Sequence, residues 1–342
     1  MTNGFNLEQQ HGKGRVRVSR VWRKAGEGGS DVIVEWSVSI SLLSDCLAAY
    51  TEGDNSSIVA TDTMKNTVYA KAKECREVES AESFGILLAK HFTTFYPQVT
   101  TAIISIVEKP WERVVVDGRP HVHGFKLGSE KRTTEVTLKK FGALRLVSGI
   151  QGLSLLKTTQ SGFEGFVRDL YTLLPETKER MLATELSASW RFHFESIYSV
   201  PTNSFFFTRM YDNVKSVLVD TFFGPPDSGV YSPSVQNTLY CMAVAVLNRF
   251  PDLASIQLRM PNLHFLPVNL SSKDDPNLVK LVGPLPLLLF SSRADSLSSR
   301  AACVWRTTGR SFLPRGSFLS ARTTSSLTAA ASARGRDSFP CR

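Results

Sequence analysis

Apolar and polar residues alternate over two long segments near the start of the chain. Residues 15–24 and 31–43 change character at almost every second position, and the glycine-rich stretch AGEGGS lies between them. A period of two is typical of strands with one buried face, and a glycine-rich connection is typical of a hairpin. The pattern therefore predicts a β-hairpin.

The period then changes from two to that of a helix. Residues 61–74 and 80–96 carry apolar side chains at helical spacing. Residues 100–116 return to a strand pattern, which ends at the turn dipeptide Asp117-Gly118 and continues beyond it as strand-like segments up to Leu146. The first half of the chain therefore has the predicted order strand, strand, helix, helix, strand, strand.

The second half repeats this order. Strands are predicted at 152–159 and 180–194, helices at 205–223 and 232–250, and further strands at 255–270. Two such halves indicate an α+β fold class, with two tandem antiparallel sheets that each carry two helices on one face. We expect domains at 15–146 and 147–281, an N-terminal extension at 1–14 and a tail at 282–342. Open sheet edges need a cover, so we also expect oligomerisation.

Most of the net positive charge of the chain lies in its last segment. The chain has 342 residues and a net charge of +9, but residues 282–342 hold nine Arg, two Asp and no Lys or Glu, which leaves only +2 for the rest. We therefore expect neither a nucleic-acid nor a membrane partner, although a basic arm that binds nucleic acid or a membrane is one alternative for the tail. The Ser/Arg/Ala-rich tail is predicted to be disordered, and a shifted reading frame or an unspliced segment would give the same composition.

Several classes of function receive no support from the sequence. No apolar run approaches the roughly 18 residues of a membrane span, and nucleotide-binding glycine motifs and the GxSxG esterase motif are absent. Five scattered cysteines favour free thiols in a reducing compartment. His121 and His123 share one face of a strand, a spacing that some metals use, but we favour hydrogen bonding at a sheet edge. No metal site is predicted.

A few polar residues occupy positions that allow two interpretations, one structural and one functional. Thr61-Asp62 and Gln236 lie at predicted helix starts, where they can cap the helix or where the backbone N–H groups can face an anionic ligand. Asn262 and His264 share one face of a strand, as a pocket wall or as a buried hydrogen-bonded pair. Lys13, between two glycines just before the first strand, is by default a solvated lysine.

Taken together, these positions resemble the urate oxidase (uricase) family, in a plant-like form. The resemblance runs from about His11 to about Lys280. It includes IVATDTMKNT (58–67), HGKGRVRV, DGRPHVHGF, SVQNTLYCMA and PNLHFLPVNL. The densest motif has family residues at Leu153, Leu155, Leu156, Lys157, Thr158, Thr159, Ser161, Phe163, Phe166, Tyr171, Leu174 and Arg180.

The resemblance implies a fold, an assembly and a reaction. The family has the tunnelling fold (T-fold), with two domains of antiparallel sheet and two helices each. It forms homotetramers with active sites at subunit interfaces, and it oxidises urate with O2 to 5-hydroxyisourate and H2O2 without a metal or organic cofactor. This chemistry is a step of purine degradation toward allantoin.

The resemblance also gives the polar residues roles. Arg180 would grip one edge of urate and Gln236 the opposite edge, while Phe163 would stack on the purine face. The backbone N–H groups of Asp62 and Val235 would supply further donors.

A second group of residues would carry the reaction. Lys13, Thr61 and His264 would form a proton relay, because a hydroxyl alone is a weak base. Asn262, with Thr61, would hold O2 and later water above the purine ring.

The resemblance ends where the composition changes, after Lys280. The family implies a peroxisomal location, but this sequence ends in Phe-Pro-Cys-Arg in place of a Ser-Lys-Leu tripeptide, which leaves the cytoplasm as the alternative. Two further readings stay open: an inactive or mislocalised variant that only binds ligand or subunits, and another T-fold enzyme acting on a pterin or purine-like ring.

Overall fold

The computed structural model describes residues 9–23 and 30–268, and strands at 279–283, 288–294 and 301–307, with side chains described up to residue 265. The first half contains β1 (Gln10–Trp22), β2 (Val32–Ser44), α1 (Leu47–Thr51), α2 (Thr61–Glu74), α3 (Ala81–Phe95), β3 (Val99–Glu108), β4 (Trp111–Val116), β5 (Arg119–Leu127) and β6 (Lys131–Lys139).

The second half contains β7 (Leu144–Lys157), β8 (Leu182–Phe192), α4 (Phe206–Phe223), α5 (Val235–Arg249), β9 (Leu253–Arg259), β10 (Asn262–Val268), β11 (Val279–Gly283), β12 (Leu288–Ala294) and β13 (Ala301–Thr307). None of the helices among the described residues is long and apolar enough to cross a membrane.

One antiparallel sheet runs through both halves. Its strand order is β1-β2-β3-β6-β7-β8-β9-β12-β13, with β10 paired to both β8 and β11, while β4 and β5 form a separate hairpin. The order β1-β2-β3-β6 is repeated as β7-β8-β9-β12, and each repeat has two long helices between its second and third strands. The predicted α+β class with two tandem repeats is confirmed.

The helices and the sheet share a continuous apolar core. Side chains alternate between buried and accessible along β2, as its period of two predicted. Trp36 of β2 stacks on Phe84 of α3 with ring centroids 4.5 Å apart, and both side chains are almost completely buried. In the second half, Trp190, Phe192 and Phe222 fill the equivalent layer.

Four local expectations differ from the structure. The strand predicted at 152–159 is β7, which begins eight residues earlier, at Leu144. The predicted strand at 100–116 is interrupted by Lys109-Pro110, since proline cannot donate a ladder hydrogen bond. Lys13 does not precede the first strand but lies inside β1, opposite Ile40. The short helix α1 was not predicted.

The predicted domain limits remain predictions. The chain passes from the first repeat to the second in the turn between β6 and β7. The predicted disorder of 282–342 falls largely outside the described residues, although β12 and β13 lie within that segment.

A buried ion pair connects several elements beneath the sheet. Arg132 of β6 donates to Glu82 of α3 over 2.6 Å, and both side chains are buried. The hydroxyl of Ser148 in β7 donates to the same carboxylate, and the guanidinium lies 4.9 Å from the ring centroid of Tyr211 in α4. This network therefore joins helices of both repeats to the central strands.

Replacing Arg132 by Met should lower the free energy of unfolding by about 3 kcal/mol, because Glu82 is then buried without its cation. Chemical denaturation of both proteins measures this difference. The matched control is Arg145→Met, whose pair with Glu135 is solvent-exposed and should contribute less than about 1 kcal/mol. Equal losses in the two variants would contradict this account of the network.

Candidate functional site

The loop between β7 and β8 folds back on itself and presents an arginine beside a phenylalanine. Phe163 donates its backbone N–H to Thr177 over 2.7 Å, and Thr177 donates to Phe163 over 3.1 Å. The backbone N–H of Arg180 donates to Ser161 over 2.7 Å. These bonds hold the Arg180 guanidinium over the Phe163 ring, 5.4 Å from its centroid.

The environment of Arg180 favours an anionic or lactam ligand. The side chain is half-buried, and desolvation lowers the pKa of its guanidinium. No carboxylate of the described residues forms an ion pair with it. One face of Phe163 is covered by Phe166, with ring centroids 4.8 Å apart and an interplanar angle of 7°. A planar ligand therefore cannot stack on the face of Phe163 that Phe166 covers.

The start of α5 lies against this loop. Gly162 donates to the backbone oxygen of Ser232, and Ser232 donates to that of Gln160, both over 2.9 Å. Ser234 caps the helix by accepting the N–H of Asn237 over 3.0 Å.

The first two residues of α5 are candidates for ligand contact. Val235 is buried and Gln236 half-buried, and the N–H groups of a first helical turn have no partner within the helix. The structure thus brings Gln236 and Val235 to the same part of the fold as Arg180 and Phe163.

Strand β10 adds Asn262 and His264 to the second half of the molecule, which also contains Arg180 and Gln236. Asn262 is paired with Thr184 and Leu263 with Ala183, near the start of β8. Because β8 begins at Leu182, this pairing lies only a few residues from Arg180. Asn262 is buried and His264 partly buried.

Lys13, Thr61 and Asp62 form a second group, in the first half. The ring nitrogen Nε2 of His11 lies 3.2 Å from the backbone oxygen of Val59, which ties β1 to the segment before α2. The pKa of Asp62 is lowered, first by the hydrogen bond from Lys65 and more weakly by the charge of Lys13. Lys13 is therefore near the exposed start of α2, where Thr61 and Asp62 lie.

The local backbone around Lys13 is specialised. Gly12 lies so close to the backbone of Ile40 and Ser41 that an added Cβ would overlap them. The register of β1 against β2 shifts between Lys13 and Val16, and Arg15 has a φ of 55°. These features set how the strand presents Lys13.

The two groups do not come together within one chain. Four strands (β2, β3, β6 and β7) separate β1 from β8 in the sheet. At the usual spacing of neighbouring strands, this corresponds to about 24 Å along the sheet. Lys13 and Thr61 are thus on one side of the molecule, whereas His264 and Arg180 are on the other.

The helix starts differ in how they are capped. The residue before α2 is Ala60, which offers no side-chain cap, whereas Ser80 and Ser234 cap α3 and α5. Asp62 instead bonds Lys65 over 2.6 Å and Asn66 over 2.8 Å, so its carboxylate does not cap α2. The backbone donors at the start of α2 are accordingly left for another acceptor.

The paired histidines of β5 have a local role in the structure. The rings of His121 and His123 are 4.6 Å apart, and the N–H of His123 points to Nδ1 of His121 over 3.3 Å. The side chains that the structure describes include no group of three His, Cys, Asp or Glu residues arranged to hold a metal ion.

Lys157 was not assigned a role from the sequence. It is buried at the end of β7 and donates to Ser232 Oγ over 2.7 Å, to the backbone oxygen of Val230 over 2.8 Å and to that of Phe222 over 3.3 Å. Burial lowers the pKa of its ammonium group to about 8. A signal was present, because Leu153, Leu155 and Lys157 alternate on the inward face of β7.

Comparison with known proteins identifies the family. The family model described as Uricase matches residues 9–137 and 146–281. A uricase from Arabidopsis thaliana is 66% identical over 278 residues, which cover 81% of this chain and 90% of the relative. Uricase-2 isozyme 1 from Canavalia lineata is 67% identical over 276 residues, covering 81% and 89%.

A solved structure agrees with this assignment. The crystal structure of uricase from Arthrobacter globiformis has a TM-score of 0.74 and 33% identity, and covers 92% of this chain and 99% of its own. The fold described above is therefore similar to that of a solved uricase. On the sequence and the fold together, the chain belongs to the uricase family.

Proposed function

We propose that this chain oxidises urate with O2 to 5-hydroxyisourate and H2O2, at a site built from both groups of residues. The observation that carries the proposal is the half-buried Arg180 above Phe163, which lies beside the start of α5 and has no carboxylate partner among the residues that the structure describes. An unpaired, partly desolvated guanidinium next to an aromatic face suits a flat anion with lactam edges.

The purine is held by three side chains, those of Arg180, Gln236 and Phe163. The planar fork of Arg180 matches a carbonyl and a neighbouring ring nitrogen on one edge, and the amide of Gln236 offers a donor and an acceptor to the other. Phe163, backed by Phe166, stacks on the ring face. The backbone N–H groups of Val235 and Asp62 add donors at two helix starts.

The relay of Lys13, Thr61 and His264 moves the protons. A more deprotonated urate gives up electrons more readily, and O2 in its triplet ground state accepts them one at a time. Thr61 passes a urate proton toward Lys13, and His264 orients the chain of hydrogen bonds. Asn262 and Thr61 hold O2 and then the water that adds to the oxidised ring. The O2 accepts two electrons and two protons and leaves as H2O2.

In this proposal the urate supplies both electrons, so the enzyme uses no metal or organic cofactor. O2 acts as a co-substrate. Binding to Arg180, Gln236 and Phe163 orients urate below O2. This orientation replaces part of the positioning that a cofactor would provide.

The complete site forms between subunits of a homotetramer. Lys13 and Thr61 on one subunit meet Arg180 and Gln236 on another, because about 24 Å of sheet separates them within a single chain. Among the described strands, β1 is paired along one side only, and such an edge is covered most simply by a second copy. A two-fold axis makes two identical sites at each interface.

Mixing two inactive variants tests the shared site. In a hybrid of Lys13→Met and Arg180→Gln subunits, one site at an interface contains both substitutions and the other contains neither. Random 1:1 assembly should leave about one quarter of the sites intact, and urate loss should return to about that fraction of the native rate. The two variants are unfolded together and refolded, and urate absorbance is followed.

The double variant provides the matched control. Subunits with both substitutions, mixed 1:1 with native subunits, should also give intact sites only where two native chains meet. Mixing the single variants without refolding should give no activity. If refolded hybrids stay inactive while the double-variant mixture is active, the relay and Arg180 act within one subunit.

A pterin-type reaction is the second candidate. T-fold enzymes of that class add a metal or a catalytic His/Cys set, and a chelator would abolish the activity of those that use the metal. Loss of urate with equimolar H2O2, unchanged by chelator, would favour the urate reaction. The cellular location stays a prediction, with the peroxisome implied by the family and the cytoplasm as the alternative.

A further inference from the structure

Lys157 is a buried cation to which the proposed reaction gives no task. Lys157 is 9% exposed, and its ammonium group has three acceptors among the described residues: two backbone oxygens and the hydroxyl of Ser232. The group also lies 5.3 Å from the ring centroid of Phe222. No carboxylate is among these partners, so the lysine is held by neutral groups from the end of α4 and from the loop before α5.

The hydroxyl of Ser232 links this lysine to α5. Ser232 Oγ also accepts from Thr238 Oγ1 over 2.8 Å, and Thr238 Oγ1 lies 3.0 Å from the backbone oxygen of Ser234, the cap of α5. Ser232 and Thr238 are both buried. A continuous polar chain therefore runs from Lys157 to the first turn of the helix that carries Gln236.

The backbone of the same serine links the lysine to Arg180. Ser232 bridges Ser161 in a parallel arrangement, through its bonds with Gln160 and Gly162. Ser161 in turn accepts the backbone N–H of Arg180 over 2.7 Å, and its hydroxyl lies 3.4 Å from Nε of that arginine. Ser232 is thus one point at which the Arg180 loop and the segment before α5 are joined, next to the bond from the Tyr231 hydroxyl to the backbone oxygen of Lys178.

We infer that Lys157 is a positioning residue that acts through Ser232 and Thr238. It fixes the distance between Arg180 and Gln236, the two residues that hold opposite edges of urate. This inference rests on the proposed function. An ammonium group has three donors for the three acceptors, whereas a hydrophobic side chain would remove a hydrogen-bond donor from each of them. Without the lysine, the Arg180 loop and the start of α5 lose a contact that stabilises their relative position.

The chain offers a closely matched pair of substitutions to test this. Thr238 and Thr93 are both buried in helices, and both place their hydroxyl near the backbone oxygen four residues earlier. Only Thr238 also bonds Ser232. Thr238→Val should raise the Kd of urate, measured without O2 so that no turnover occurs, by about tenfold, while Thr93→Val should leave it within about twofold of the native value.

Lys157→Met completes a double-substitution cycle. It should also raise the Kd of urate by at least about tenfold, and the KM for urate should rise with it, while kcat falls less. Combining it with Thr238→Val should add little, because both changes break one network. Fully additive effects, or an equal loss in Thr93→Val, would overturn the inference. Ser232→Ala takes the place of Lys157→Met if the latter does not fold.

The outcomes separate this inference from the proposed function. A native protein that neither binds nor oxidises urate removes the proposed function. A native protein that oxidises urate, with Thr238→Val and Lys157→Met binding it normally, removes only the role of Lys157.

Discussion

Replacing Arg180 by Gln should lower kcat/KM for urate by about 10³-fold. The half-buried guanidinium is held over Phe163 by the bonds of its backbone and Nε to Ser161, so it is pre-positioned for a ligand. Two charge-assisted hydrogen bonds to one purine edge contribute about 1.5–3 kcal/mol each, which corresponds to about two to four orders of magnitude. Steady-state loss of urate absorbance measures the effect.

Arg180→Lys separates charge from geometry. A lysine keeps the positive charge but cannot present two parallel N–H donors to one edge, so we expect a loss of about 10²-fold. If Arg180→Lys were fully active, a point charge would suffice and the paired contact with urate would be incorrect.

The control for both variants lies in the same loop. Arg168 is exposed, lies 5.0 Å from the ring centroid of Phe166 and donates to the backbone oxygen of Leu174. Arg168→Gln should change kcat/KM by no more than about twofold, as is usual for exposed positions. A loss as large as that of Arg180→Gln would show that the loop is sensitive to any loss of a cation.

Replacing Lys13 by Met should lower kcat by about 10³-fold while urate still binds. Removal of a general base costs about two to four orders of magnitude, and Lys13 is the terminal proton acceptor of the proposed relay. Its side chain is exposed in the single chain, so the substitution should not disturb the core of the sheet. Rapid-mixing kinetics with O2 measure the fall in kcat, and the Kd of urate without O2 measures whether binding is retained.

A neighbouring lysine controls for charge at the same place. Lys65 bonds Asp62 over 2.6 Å at the start of α2, close to Lys13. Lys65→Met removes one positive charge from this region but no member of the relay, so its kcat should stay within about threefold of the native value. Unchanged turnover in Lys13→Met would eliminate the relay as proposed.

The periodicity of the sequence determined the class of each long element. Helix α2 spans the predicted 61–74, and α3, α4 and α5 differ from prediction by at most three residues at either end. This succeeds because amphipathic spacing records which face of an element is buried, a property of neighbouring residues. The motifs likewise identified the family, since they depend only on residue types at fixed spacings.

Periodicity does not state which partner an element pairs with, and that limit explains the misses. Lys13 was expected before the first strand, yet its segment extends β1 because His11 to Lys13 pair with β2, with a register shift before Val16. The break at Lys109-Pro110 is a miss of another kind, because the proline itself was the local signal that a strand would be interrupted there. Lys157 was visible as a charged residue at an inward position, but its three acceptors come from residues 65 to 75 positions away.

The tertiary structure alone decided how the candidate residues are grouped. The sequence named Lys13, Thr61, Asp62, Phe163, Arg180, Val235, Gln236, Asn262 and His264 as one set. Strand order divides them between two halves of a single sheet, because four strands lie between β1 and β8. Strand order arises from long-range backbone pairing, which local residue patterns do not encode, and here it places the predicted residues in two separate groups within one chain.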